Sequence, residues 1–383
     1  MKGHTYQRGK TWTYVIDLTP DPITGARRQK TKGGYKREKD AEAACAEAIT
    51  KINQGNYVEG NNITLGGFLE IWLKEYAKPN YKPNVYDVEE SIVQKRIIPS
   101  LGMQRLQQIK PLTITRFYNQ LQEKYSSDYA RHIHVVLRNV FKMAERWEMI
   151  QDNPINKVVP PRIKKKEMKV WTVEQCMKFL NIAVGHAHYI VFSLAIHTGM
   201  RRGEILGLRW KDLNYKTKTL RVRQNVVWTP SEGIIIQEPK TENSKRTIAI
   251  SDLLIKDLEN RRLEIETDIL HQQDLYSDND LICCYSDGNA VQPRRINDRF
   301  DYLTKKAGLP KIRFHDLRHS HATMLLENNI NPKVAAERLG HSSVKMFLDR
   351  YSHLLPSMQD EAASAIEVAM NNAKKSVDKS VNK

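Results

Sequence analysis

Apolar and polar positions alternate from Tyr6 to about Leu18, with Trp12, Tyr14, Ile16 and Leu18 on one face and Thr13, Val15 and Asp17 on the other. That period of two predicts a half-buried strand. A turn from Pro20 to Gly25 ends it, and a third short strand, Arg27 to Lys32, leads through Gly33 and Gly34 into an Ala-rich helical stretch from about Lys39 to Asn53. The first 58 residues therefore read as a small three-stranded sheet backed by one helix. From Thr64, a capping residue, the period changes: Leu65, Phe68, Leu69, Trp72 and Leu73 recur at helical spacing. Helical stretches at about Pro83 to Ile98, Pro111 to Lys124 and Ser127 to Trp147 follow, so residues 62–152 predict an all-helical domain. Residues 153–170 carry Pro154, Pro160 and Pro161 with the run Lys164, Lys165, Lys166, the composition of a basic linker. Thr172 to Gln175 forms a capping box that opens a last domain, 171–370, in which Thr219 to Trp228, Ile234 to Gln237 and Arg246 to Ile250 read as strands among helices. A narrow apolar stripe, Met358, Ala362, Ile366 and Ala369, precedes a polar tail at 371–383 and has two readings, packing on its own domain or on a neighbouring protomer. The fold class expected is multidomain α+β, with the last domain mainly helical around a small β-sheet.

Length and charge narrow the class. A chain of 383 residues exceeds one ordinary core and suggests two or three domains. With 61 Lys and Arg against 44 Asp and Glu, the net charge of +17 suits a polyanion such as DNA, RNA or an anionic membrane. No apolar run reaches the roughly 18 residues of a membrane span, and Met1 to Lys10 is too polar for a secretory signal, so a cytoplasmic protein is expected. Cys45, Cys176, Cys283 and Cys284 lack paired zinc spacing and read as reduced, mostly buried thiols, with no metal expected. Nor is there a Gly-rich phosphate loop or dinucleotide fingerprint, and no cofactor is expected. Positive charge concentrates at Arg27, Arg28, Lys30, Lys32 and Lys36, where a β-ribbon could enter a major groove or simply present a solvated edge. Lys164, Lys165 and Lys166 could follow a phosphate backbone or serve as a soluble tether.

Candidate chemistry lies in the last half of the chain. Thr198 to Trp210 reads T-G-M-R-R-G-E-I-L-G-L-R-W, Phe314 to His319 reads F-H-D-L-R-H, and Leu339 to His341 reads L-G-H, with Tyr351 ten residues on. In-line attack on a phosphodiester spreads charge over two nonbridging oxygens, so two planar bidentate cations, Arg201 and Arg318, are the natural clamp. Glu204, three residues from Arg201, could hold its rotamer, or could pair with Arg202 instead. His315 and Arg318 share a face if the helix begins at or before His315. His341 follows Gly340 and could donate to phosphate or be a satisfied structural histidine; His319, His321 and His353 read as packing or capping residues. Competing tyrosines are Tyr302 and Tyr285.

Together these strings resemble the tyrosine recombinases, and within them the integrases of phages and integrative conjugative elements. The resemblance implies catalytic roles for Arg201, Lys240, His315, Arg318, His341 and Tyr351. Tyr351 would attack to form a 3′-phosphotyrosine, His315 would accept its proton directly or through water, and Lys240, in E-P-K-T-E-N-S-K-R-T-I-A-I on a β-hairpin turn, would protonate the leaving 5′-oxygen. Lys245 and, less so, Lys211 are rivals. Met346 and Phe347 depart from the smaller hydroxyl residues of many relatives. The resemblance further implies an amino-terminal domain for arm-type DNA sites, a core-binding helical domain, a homotetramer on double-stranded DNA, and partnership with a DNA-bending protein and an excisionase. Such an enzyme would work in a bacterial host cell, on the nucleoid when bound, and without metal or ATP. A type IB topoisomerase and a non-catalytic DNA-binding regulator on the same fold are the alternatives.

Overall fold

The computed structural model describes residues 3–18, 27, 29–53, 63–163, 168–238, 245–341, 343–351, 363–364 and 366–371. The chain divides into two compact units, Met1–Lys165 and Lys166–Lys383.

The first unit opens with an antiparallel sheet in the order β1 (Gly3–Arg8), β2 (Thr11–Asp17), β3 (Gln29–Tyr35). The alternation that ran unbroken from Tyr6 is split by a turn, where Gly9 adopts φ +66°. Gly33 and Gly34, expected to follow the third strand, lie inside it, and β3 runs to Tyr35 opposite Trp12 across a register shift. Helix α1 (Glu38–Asn53) covers one face, burying Tyr14 and Ile16 against Cys45 and Ala48. Thr13 and Val15, on the opposite face of the central strand, are also buried, so this strand is not the half-exposed one the pattern predicted.

The helical region follows as α2 (Leu65–Trp72), α3 (Lys78–Asn80), α4 (Pro83–Ile92), α5 (Ile98–Leu101), α6 (Pro111–Lys124) and α7 (Ser127–Arg146). Thr64 caps α2, its hydroxyl accepting from Gly67 N at 3.2 Å. Two π-helical turns, Leu73–Ala77 and Val93–Ile97, each precede a proline, Pro79 and Pro99. A proline ring clashes with the carbonyl four residues back, and widening the turn relieves that clash without ending the helix. Phe68, Leu69, Trp72, Leu137 and Phe141 form the core. Ile155 and Val158, placed by sequence in the linker, are packed into this same core, so that segment begins as a structured turn.

The second unit contains α8 (Val173–Ala183), α9 (Tyr189–Thr198), α10 (Arg202–Leu206), α11 (Asp252–Gln272), α12 (Pro293–Lys306), α13 (Asp316–Glu327), α14 (Pro332–Leu339) and α15 (Val344–Tyr351). Its strands are β4 (Leu213–Asn214), β5 (Thr219–Val222), β6 (Asn225–Thr229), β7 (Gly233–Gln237) and β8 (Arg246–Ala249). They form two small sheets, β4-β5-β8 and β6-β7. The run Thr219 to Trp228 is thus two strands in different sheets. The Thr172 capping box forms as expected. The aromatic cluster Trp171, Phe179, Phe192, Phe300 and Phe314 fills the core, with ring centroids 5.2 Å apart between Phe179 and Phe300. Trp171 locks the entry to α8: its backbone N donates to Ser320 Oγ at 2.9 Å and its Nε1 to Pro310 O at 2.9 Å.

Candidate active site

Helix α9 is buried nearly all round and ends at Gly199, whose φ of +64° turns the chain sharply into Arg201. Arg201 sits at the N-cap of α10. Its Nη1 donates to Glu204 Oε1 at 2.8 Å and its backbone N to Glu204 Oε2 at 2.9 Å, so Glu204 does hold this arginine. The second partner of Glu204 is Arg246 Nη2 at 2.9 Å, not Arg202. Burial alone would raise the Glu204 pKa, but Arg246 and Arg201 outweigh it and the carboxylate ends below its ordinary value.

His315 precedes α13 in helical conformation, φ −64° and ψ −23°, and this places His315, Arg318 and His319 on one face. Arg318 is 4 % exposed; its Nη1 donates to Gly199 O at 2.9 Å and its Nη2 to Leu339 O at 2.6 Å. Arg201 Nη2 donates to the adjacent carbonyl, Gly340 O, at 3.3 Å. Both guanidinium groups therefore reach one turn, held by Gly340 at φ +69°. Burial and then the neighbouring Arg201 lower the Arg318 pKa to about 9, which leaves it cationic at neutral pH. Two crowded cations of this kind form a site for an anion.

His341 follows that turn. Its Nε2 is buried without a hydrogen-bond partner among the described residues. Burial, Arg318 and Arg201 push its pKa down to about 4, so the ring is neutral. Phe347 wedges between His341 and Tyr351, with ring centroids 5.7 Å and 4.8 Å away. Phe347 is thus fully buried packing for both rings, while Met346 points to solvent.

Tyr351 ends α15 and is buried, with its hydroxyl 2.6 Å from Nδ1 of His319. Sequence reasoning gave His319 a packing or capping role. The signal it missed is the spacing of four residues from His315, which brings their rings to 5.4 Å, edge to face. Burial raises the Tyr351 pKa to about 12, against the opposing pull of Arg318 and Arg350. Desolvation and Arg318 lower the pKa of His315, which is exposed at the rim of the site. His321 is structural, as expected: its Nδ1 donates to Ile196 O at 2.9 Å and its Nε2 accepts from Arg338 Nε at 3.2 Å.

Lys240 lies outside the described residues, as do His353, Arg28, Lys164, Lys165, Lys166, Met358 and Ala362. The described strands on either side of Lys240, β7 and β8, belong to different sheets. Of its rivals, Lys245 pairs with Glu238 at 3.2 Å and Lys211 with Asp280 at 3.7 Å. Tyr285 packs against His188, and Tyr302 carries Arg299 over its ring. A cleft of about 1040 Å³ opens beside His315, lined in part by Lys169, Arg202, Lys311 and Arg313. Flanking the third strand of the amino-terminal sheet, Arg27 is exposed and pairs with Asp17 at 2.8 Å, and Lys36 is exposed. Lys30 and Lys32 stand opposite Ile16 and Tyr14, so they rise from the face that α1 covers. Ile366 and Ala369 are exposed.

Three segments match known families: residues 4–52 an arm DNA-binding domain, 64–122 the N-terminal SAM-like domain of phage integrases, and 166–358 the phage integrase family itself. A XerC-like tyrosine recombinase of Caldanaerobacter subterraneus is 30% identical over 352 residues, covering 86% of this chain and 90% of that protein. The ICEBs1 integrase of Bacillus subtilis is 29% identical over 367 residues, covering 92% and 96%. In fold, the chain resembles the Tn1549 transposon integrase solved with a circular intermediate DNA (TM-score 0.64, 20% identity, 76% of this chain and 95% of that one). It also resembles a lambda integrase dimer bound to a core site (TM-score 0.58, 20% identity, 90% and 94%). These likenesses define a class, the tyrosine recombinases, which are DNA strand transferases. This chain belongs to the phage integrase family and is a site-specific recombinase of mobile elements.

Proposed function

We propose that this recombinase cleaves and rejoins DNA through a 3′-phosphotyrosine at Tyr351, with Arg201, Lys240, His315, Arg318 and His341 as its working groups and neither metal nor ATP required. The observation that carries the reading is the approach of Arg201 and Arg318 to the carbonyls of Leu339 and Gly340, beside His341, with Arg318 in the electrostatic reach of Tyr351.

The two guanidinium groups clamp the nonbridging oxygens as charge builds on them. His341 Nε2, as a neutral N–H, donates to phosphate. An unsatisfied buried polar atom costs about 1–3 kcal/mol, which a phosphate oxygen recovers. The phenol oxygen forms a bond to phosphorus as the bond to the 5′-oxygen breaks. The phenolic proton, held in the hydrogen bond to His319 before attack, is released from it as the bond to phosphorus forms and passes through water to His315. Lys240 gives a proton to the departing 5′-oxygen. The phosphotyrosine conserves the energy of the broken ester, so another strand's 5′-hydroxyl reverses the step with no energy source.

The amino-terminal sheet and helix bind arm-type sites, the helical region binds core-type sites, and the enzyme works as a homotetramer with a DNA-bending protein and an excisionase, on the nucleoid of a bacterial cell. Family matches over residues 4–52 and 64–122 support the first two assignments, and a lambda integrase tetramer on a Holliday junction supports the third. The test is Tyr351→Phe: DNA affinity should stay within about twofold of wild type, and covalent protein–DNA adducts on denaturing gels should vanish. Adducts that persist in this variant overturn the assignment.

A further inference from the structure

His319 is absent from the set of working groups above, yet it is the side chain that touches the reacting atom. We propose that His319 is a positioning residue for Tyr351, its Nδ1 fixing the phenol hydroxyl and so the direction from which that oxygen approaches phosphorus. This rests on the reading of Tyr351 as nucleophile.

The geometry constrains the phenol from both ends. Its hydroxyl lies 2.6 Å from His319 Nδ1, and its ring packs against Phe347 one turn back on α15 at 4.8 Å. His319 is itself held: it is 5 % exposed, carried on the same helix face as Arg318, and backed edge-on by His315. Since Arg318 and His319 are consecutive on α13, the residue that clamps phosphate and the residue that seats the nucleophile share one rigid element, as precise in-line attack requires.

The chemistry of the pair distinguishes positioning from proton abstraction. Burial raises the phenol to about 12, whereas burial, His315 and Arg350 push the His319 imidazole down to about 4. The shared proton therefore stays on oxygen: Tyr351 donates, Nδ1 accepts, and Nε2 carries the ring's own hydrogen. A group so much less basic than phenolate orients the hydroxyl without taking its proton.

Two substitutions separate these roles. His319→Asn places an amide close to the Nδ1 position and can accept the hydroxyl but cannot titrate; His319→Phe keeps the ring and removes the acceptor. The substrate is a duplex carrying the joined ends of the element, nicked beside the scissile phosphate so that adducts accumulate. In single-turnover assays His319→Phe should form adducts about 10- to 100-fold more slowly, the worth of one lost hydrogen bond in a buried setting. DNA affinity should be unchanged, and His319→Asn should restore the rate to within about threefold. A His319→Phe enzyme as fast as wild type, or a His319→Asn enzyme as slow as His319→Phe, overturns the proposal. Thermal unfolding gives a second measure independent of cleavage: destabilisation by His319→Phe and by Tyr351→Phe should be non-additive in the double variant, and strict additivity counts against the bond. Adducts from Tyr351→Phe would remove the nucleophile assignment itself, an outcome separate from any behaviour of His319.

Discussion

Each titratable group at the centre is set by what surrounds it, and three histidines show the consequence for stability. His319 and His341 are pushed down to about 4 and His321 to about 3, burial being the largest cause in each. Unfolded histidine titrates near 6.5. Between pH 6.5 and 4 the unfolded chain thus binds protons that the folded chain refuses, so stability falls as pH falls through that window and is fully present above it. Calorimetry of the full chain should show the transition of the catalytic unit shifting down as pH is lowered from 7 to about 4.5, with little change between 7 and 8.5. His321→Asn should flatten that slope, and an unchanged slope would mean another group drives it. At Lys240 the prediction concerns the leaving oxygen. A substrate with sulfur at the 5′-bridging position needs no general acid, so Lys240→Ala should cleave it at near the wild-type rate while failing on ordinary DNA. Failure on both, with normal DNA binding, would move the acid elsewhere.

Elements converge on the site through one residue that spacing did not single out. Arg246 is the first residue of β8, and its side chain is 7 % exposed. It links three elements: its Nε donates to Arg338 O at the end of α14 at 2.7 Å, and its Nη2 to Glu204 of α10 at 2.9 Å. Replacing it by Met leaves Glu204 buried with half its neutralising charge gone, at a cost of about 3 kcal/mol. Arg246→Met should therefore lower the thermal midpoint and slow cleavage together, and Arg246→Lys should recover only part, since an ammonium cannot make both bonds. Gly340→Ala should act on the same joint, because φ is +69° and a Cβ there would stand 3.0 Å from Arg246 Nη1. Arg246 was legible as a strand residue but not as a link, because its partners lie 42 and 92 residues away and no periodicity relates them. Period and capping made Thr64, Thr172, α6 and α7 readable; Arg201 with Glu204 was readable because three residues on a helix are neighbours. Long-range pairing decided what was not. Thr219 to Trp228 breaks because β5 pairs with β8 and β6 with β7, and His319 meets Tyr351 only when α13 and α15 pack.

At the scale of the whole molecule, charge and site have separate tasks. A net charge of +17 attracts DNA of any sequence, whereas in the proposed mechanism the arginines, histidines and tyrosine of the last unit act on a single phosphate. The two contributions respond differently to salt. Each phosphate neutralised contributes about −0.9 to the slope of log K against log salt, so a protein making 6–10 such contacts loses roughly 10³ to 10⁵ in affinity between 50 and 200 mM. If Lys164, Lys165 and Lys166 follow the backbone, changing all three to Ala should reduce the slope by about 2–3 and weaken specific and random duplexes by the same factor. Tyr351→Phe should leave the slope untouched. Anisotropy titrations over that salt range decide the matter: a slope unaltered by the triple change makes the lysines a tether, and a loss confined to the specific duplex makes them readers of sequence instead.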